Sequence, residues 1–238
     1  MVTYNEAARI EGFLRALAPL VDEVVLVDQS STDATRDIAV RVLRELAASR
    51  ATRRARRPVL VSDEHRGYCE ASRGLGAALQ TCRWTLVLDA DETLSARGSQ
   101  ELRPLIAAAT RQGWDGYRLR RETSVDGEVF ERPDDVHFRL FRAGRAHYLD
   151  ILHSAPVPTR EQRVGPTPAF VCIEHHKTLQ EELADELRYE QVIAAKDESA
   201  EWKAERLAWN VYLSAQRTGT PAAEIERHRR ATQQIQRG

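Results

Sequence analysis

Cysteine is sparse in this chain: Cys69, Cys82 and Cys172 are three residues lying far apart. An odd count with no Cys-x-x-Cys spacing excludes a disulfide framework and a thiolate metal centre, and it points to a reducing compartment. No apolar run comes near the roughly 18 residues that a bilayer-spanning helix requires, and no signal-peptide pattern is present. Neither sign of charge dominates, with 35 Lys and Arg against 36 Asp and Glu. With no global field to draw nucleic acid or an anionic membrane, the expectation is a soluble, cytoplasmic protein. Also missing are Gly-x-Gly-x-x-Gly and Gly-x-x-x-x-Gly-Lys-Ser/Thr. A phosphate cradle of glycine backbone is therefore not expected, and any phosphate the chain binds would need its charge neutralised by a metal and arginine.

The 238 residues suffice for a single domain of ordinary size or somewhat more. The stretch that organises the rest is Trp84-Thr85-Leu86-Val87-Leu88-Asp89-Ala90-Asp91-Glu92. Its apolar run reads as a strand buried on both faces, as in a parallel sheet between helices. The carboxylates follow where the strand ends, which is where open α/β sheets bind ligands. Asp89 and Asp91 alternate about Ala90, so in extended chain both point to one side and attract a hard divalent cation. A solvated acidic turn is the plainer reading of those three residues alone.

Upstream, Met1-Val2-Thr3 reads as the last turn of a strand whose earlier part is absent. Ile10, Phe13, Leu14 and Leu17 then recur at helical spacing. Glu23 to Val27 is a second buried strand ending in Asp28. After it, Thr32 or Asp33 can cap a helix with the stripe Ile38, Val42, Leu43 and Leu46. Arginines 50, 53, 54, 56 and 57 precede a strand from Pro58 to Ser62. They read as a solvated helix end, or as a peripheral contact with an anionic membrane. Gly67 to Thr81 supplies a loop and helix, and Ser99 to Arg111 another helix. Alternating strands and helices of this kind argue for a parallel α/β sheet.

Beyond this the pattern changes. Tyr117 to Thr123 alternates, and Asp126-Gly127 is a hairpin signal. Phe138 to Phe141, Ala146 to Leu152 and Phe170 to Glu174 are short strand candidates. From Thr178 onward Leu179, Leu183 and Leu187, then Trp202, Leu207, Trp209 and Leu213, read as helices packed through one face.

Three strand ends thus offer polar groups toward one crest: Tyr4-Asn5-Glu6, Asp28 with Gln29-Ser30-Ser31-Thr32-Asp33, and Asp89-Ala90-Asp91. A nucleotide uses such a set, with an aromatic face for the base, a carboxylate for base or ribose donors, and a metal across the phosphates. In these residues, order and spacing the chain resembles a family-2 glycosyltransferase of the GT-A fold, over about residues 1–95. Its second half is similar to the lipopolysaccharide-core glucosyltransferase branch. That branch has an Asp four residues before Arg-Leu-Phe-Arg and then a His-Glu pair. Here Asp135 precedes Arg139-Leu140-Phe141-Arg142, and Leu152-His153 stands where the pair belongs.

The resemblance implies a GT-A domain over 1–176, with a nucleotide-sugar half at 1–95 and an acceptor half at 96–176, followed by a helical extension at 177–238. It implies a mostly parallel sheet with a small antiparallel part on the acceptor side. The donor is then a nucleoside-diphosphate sugar and the acceptor a glycan or lipid-linked molecule. Thr3, Tyr4 and Glu6 would line the nucleotide pocket, Asp28 and Ser30 meet the base side, and Asp89 and Ala90 sit near the ribose. Asp91 would hold Mn²⁺ or Mg²⁺, with His153 a further ligand or phosphate contact and Arg73 and Arg139 facing the phosphates. An inverting transfer needs a carboxylate base, for which motif position favours Asp135, then Asp150.

Departures from the pattern accompany the match. The opening strand is short, so the chain is a truncated form or a neighbouring element fills the gap. Ser154 replaces the branch's Glu, and Arg73-Gly74 replaces a basic residue followed by Asn. His175 and His176 cannot join in one metal site, because neighbours on a strand face opposite ways. A catalytically inactive nucleotide-binding relative is one rival reading. Another is a haloacid-dehalogenase-like phosphatase, whose Asp-x-Asp-x-Thr signature Asp89 to Thr93 also fits. In that class the motif ends the first strand of the domain, whereas three strands precede it here.

Overall fold

The computed structural model describes residues 1–49, 57–130, 135–148, 156–158 and 162–196. They open with β1 (Val2–Thr3), α1 (Ile10–Leu17), β2 (Glu23–Asp28), α2 (Thr35–Ala48), β3 (Arg57–Ser62) and α3 (Glu70–Leu79). β1, β2 and β3 form a parallel sheet in that order, as the alternation of strand and helix requires. The helical stripes face inward: Ile10, Phe13 and Leu14 of α1 and Val42, Leu43 and Leu46 of α2 are buried. Asp33 lies just ahead of α2 and accepts from the Thr35 backbone N–H at 2.9 Å, satisfying one of the helix's free donors.

The second sheet is mixed. It contains β4 (Trp84–Leu86), β5 (Glu92–Leu94), β6 (Gly116–Val125), β8 (Val136–Arg142) and β12 (Cys172–Lys177) in the order β4-β8-β6-β12-β5. β7 (Glu128–Phe130) and β11 (Val164–Gly165) add to β6, while β9 (Ala146–His147) pairs with β10 (Val157–Pro158). The hairpin between β6 and β7 turns at Asp126 and Gly127, which both have positive φ, 51° and 85°. That is the backbone twist that tight hairpins favour.

The stretch from Trp84 departs from the parallel expectation. Only Trp84–Leu86 is ladder-paired, and its partner is the antiparallel β8. Val87 still donates to the Arg139 carbonyl at 2.9 Å, but the chain then turns, so Asp89 and Asp91 lie in a bend and not along one strand. α4 (Ala96–Gln112) follows, its Ser95 cap accepting from Gly98 N–H. One apolar core spans both sheets and includes Leu26, Leu88, Leu119, Leu140 and Ile173.

Met1–Leu179 forms one compact unit, and a second begins at Gln180. α5 (Leu179–Lys196) contains Leu183 and Leu187, but Leu187 is exposed and does not pack as its spacing leads one to expect. The later apolar positions, Trp202 to Leu213, lie outside the described residues, as do Arg50, Arg53, Arg54 and Arg56 of the basic segment. No described helix is long and apolar enough to cross a membrane.

Candidate functional site

Consecutive residues of α3 tie the strand tips together. Ser72, fully buried, accepts from Gln29 Nε2 at 2.8 Å and donates to Asp63 at 2.7 Å. Those partners stand just past β2 and β3. The next residue, Arg73, turns about 100° around the helix and meets the Asp89 carboxylate beyond β4. The crest expected from the strand order is thus bound together through one helical turn.

The first two tips are clipped to each other. Asn5, at φ 56°, accepts from Thr32 N–H at 2.8 Å, and its own N–H donates to Ser31 Oγ at 3.0 Å. Glu6 N–H donates to Thr35 Oγ1 at 2.7 Å. Tyr4 presents its ring to His65, stacked at 3.5 Å between centroids. Asp28 is 1 % exposed and accepts the Ser31 hydroxyl at 2.6 Å, so its carboxylate shapes the loop from within. Ser30, at φ 57°, donates to the Asp63 carbonyl at 2.8 Å. Thr3 is buried, and its hydroxyl oxygen has no hydrogen-bond partner among the described residues.

Around Asp89 the charges alternate. Arg73 and Arg139 both contact its carboxylate, the latter at 3.4 Å. Arg139 also meets Glu92 at 3.1 Å, Arg121 lies 3.7 Å from Glu92, and Arg121 contacts Asp135 at 3.1 Å. The ladder ends at His137, 2.6 Å from Asp135. Burial alone would raise the pKa of Asp89, but Arg73 and Arg139 outweigh it and hold the carboxyl well below the usual range. The same opposition, with His137 and Arg121 winning over burial, keeps Asp135 a carboxylate. At the opposite end the ladder meets Tyr148, whose ring lies 6.0 Å from the Arg73 guanidinium and whose hydroxyl burial pushes up to about 12.

Asp91 has a different partner. Its Oδ2 lies 3.0 Å from His175 Nε2, and His175 Nδ1 is 3.2 Å from Thr123 Oγ1. His175 is buried and His176, its neighbour on β12, is exposed, as strand alternation requires. Burial raises the pKa of Asp91, and the His175 hydrogen bond brings it below the ordinary value. Ala90 is buried between the two acids. Asp134, Asp150, His153 and Ser154 lie outside the described residues.

The family of the chain follows from a further observation. Residues 1–188 match the family described as Glycosyl transferase family 2. The chain belongs to that family. Among curated proteins it is 28 % identical over 120 residues to an uncharacterized glycosyltransferase of Rickettsia felis, covering 50 % of this chain and 37 % of that protein. A Rickettsia typhi glycosyltransferase, also uncharacterized, is 24 % identical over 157 residues, or 65 % of this chain and 49 % of that one. The chain thus spans half or less of the length of these relatives. Among solved structures, Staphylococcus aureus TarS 1–349 in complex with UDP superposes with a TM-score of 0.52 at 17 % identity, covering 87 % of this chain and 68 % of that one. That likeness establishes the α/β fold, with its parallel first sheet and mixed second sheet, as the GT-A type.

Within this family-2 chain, sequence patterns alone missed four partners. Glu92 stands in the sequence only as a third acid after Asp89 and Asp91, yet it is the buried counter-ion of Arg139. Ser72 and Arg121 carry no local signature. Alternation along Cys172–Lys177 was the available signal for His175, since it sends one of two adjacent histidines inward.

Proposed function

We propose that this chain carries the catalytic unit of a metal-dependent, inverting glycosyltransferase that moves a hexose from a nucleoside-diphosphate sugar to a glycan or lipid-linked acceptor. The observation that carries the reading is the pairing of Asp91 with His175 beside the arginine-flanked Asp89. Family membership and a UDP complex of the TarS structure support it. Asp91 and His175 together fit Mg²⁺ or Mn²⁺, which take one or two protein ligands and fill the remainder with phosphate oxygens and water. Among the described residues no cluster of three or more metal-ligating side chains exists; His153, the further ligand that the resemblance implies, lies outside them, and phosphate oxygens of the donor would fill the remaining positions. When bound, the cation supplies charge neutralisation for the departing nucleoside diphosphate.

The chain's own residues divide the remaining tasks. The Tyr4 ring and the loop held by Asn5 and Asp28 receive the nucleoside, the orphan hydroxyl of Thr3 being free to bond it. Asp89 aims Arg73 and Arg139 at the diphosphate, and Arg139 is too deeply buried to serve as a surface charge. Asp135, held ionised at the far end of the charge ladder, takes the acceptor proton. Asp150 and the branch-type acceptor specificity complete the proposal from sequence alone. The decisive experiment is thermal shift with UDP, GDP and ADP, with and without Mn²⁺, followed by donor turnover. A ligand that binds only the native state raises its apparent stability. One nucleotide should stabilise the protein only with the cation, and turnover should follow with the matching sugar donor. Stabilisation without turnover would favour the inactive-relative reading, and release of phosphate from p-nitrophenyl phosphate the phosphatase one.

A further inference from the structure

The Arg-Leu-Phe-Arg run of β8 carries two arginines, and the crest uses only the first. Arg139 turns to Asp89 and Glu92. Arg142 stands three residues on, about 10 Å further along an extended chain, opposite Trp84 at the first residue of β4. Because β4 runs from Trp84 toward Asp89, Arg142 marks the end of the sheet away from the crest. There a cleft of about 460 Å³ opens between the turn after β8 and the segment leading into β4. Arg83, Arg142 and Arg145 line it, together with Trp84, Thr81 and Thr110 in the last turn of α4.

The three guanidiniums are held in different ways. Arg145 Nε lies 3.1 Å from Asp115 Oδ1, and the other oxygen of that buried acid accepts from Arg163 N–H at 3.1 Å. Both oxygens of Asp115 are thus engaged. Arg142 donates through Nε to the Trp114 carbonyl at 3.0 Å and lies over the Trp84 ring at 5.5 Å. Neither contact brings a carboxylate to it. Arg83 is exposed, and its side chain has no partner among the described residues. Its carbonyl accepts from Ala143 N–H at 2.9 Å, which ties the two arginine-bearing segments together.

Little negative charge offsets this group. Glu23 stands beside Thr81, but its two oxygens accept from the Thr81 N–H at 2.7 Å and hydroxyl at 2.9 Å. The carboxyl end of α4 adds about half a negative charge, and the Gly113 and Trp114 amides both cap it at the Ala109 carbonyl. Arg83 and Arg142 therefore lack an acid while sharing one cleft. Guanidiniums present forked N–H donors that match phosphate oxygens. A phosphate monoester dianion balances two such charges, where a single carboxylate balances one.

We propose that this cleft is a second anion site, remote from the crest, that takes a phosphate monoester between Arg83, Arg142 and Arg145. The same group is carried by a soluble sugar phosphate and by the headgroup of phosphatidic acid. The site is independent of the nucleotide that the crest binds.

The test is calorimetric titration of the full chain with glucose 6-phosphate, in EDTA so that no cation bridges the ester to Asp91. The parent should bind with a Kd below about 1 mM. Arg83→Glu, at an exposed position that folding does not need, should weaken binding by at least about 10-fold. Arg142→Lys keeps the charge but loses the fork, and should also cost about 10-fold. Arg139→Lys, on the crest, should leave the affinity unchanged. A second arm sediments the protein with phosphatidylcholine vesicles, with or without phosphatidic acid. Pelleting that needs phosphatidic acid, is lost in Arg83→Glu and is competed by glucose 6-phosphate assigns the phosphate to a lipid. Titration without pelleting assigns it to a soluble ester. Equal affinity in the parent and Arg83→Glu, loss of binding in Arg139→Lys but not in Arg83→Glu, or no binding in either arm up to about 10 mM overturns the proposal.

Discussion

His175 Nε2 stands 3.0 Å from Asp91 Oδ2, although 84 residues separate them along the chain. The contact brings β12 to the acidic bend after β4 and sets an imidazole beside the carboxylate proposed to hold the cation. It also fixes the imidazole through Thr123, in the way that outer partners orient ligands at metal sites.

Replacing either member separates ligand from scaffold. Asp91→Ala should abolish donor turnover and the Mn²⁺-dependent thermal shift while leaving the far-UV spectrum unchanged. His175→Ala should weaken the apparent Mn²⁺ affinity by about 10–100-fold. Full activity in Asp91→Ala sinks the assignment of the site.

Asp135 can be a base or merely the anchor of Arg121 and His137. As the base, Asp135→Asn should lower kcat by at least about 10²-fold with little change in donor KM. A loss under about tenfold hands the role to another carboxylate, Asp150 being the next to substitute.

Glu92 is 0 % exposed and faces Arg139. Glu92→Gln should destabilise the protein by roughly 3–5 kcal/mol, because it leaves a buried guanidinium with less compensation. Urea unfolding measures this, and a change below about 1 kcal/mol would mean that Asp89 alone suffices as counter-ion.

Acid should act through Asp89. Its folded pKa is depressed, so the stability it contributes is complete above the unfolded value of 3.8 and is lost as pH falls through the folded one. Comparing urea midpoints of the parent and Asp89→Asn between pH 7 and 3 should show a parent advantage that fades below about pH 4. A constant gap over that range would mean that proton uptake at Asp89 plays no part.

Much of the fold was legible because local pattern and tertiary need coincide. The apolar spacing of Ile10, Phe13 and Leu14, the alternation from Tyr117 and the Asp126-Gly127 turn each specify one local geometry. The antiparallel pairing of β4 was not legible, since a short buried strand has the same composition whichever way its neighbour runs. The site was legible as residue types at three strand ends. The two arginines on Asp89 were not, nor was the inward histidine.

By itself, then, the sequence determined most of the strand and helix order, the acidic run at Asp89 to Glu92 and the family to which these belong, because periodicity and short motifs act over neighbouring residues. Only the tertiary structure decided which charges meet. Glu92 with Arg139, Ser72 with Gln29 and Asp63, and His175 with Asp91 are contacts across distant segments. Their partners are chosen by sheet order and by the cost of burying a charge alone, and neither is written in any local run of residues.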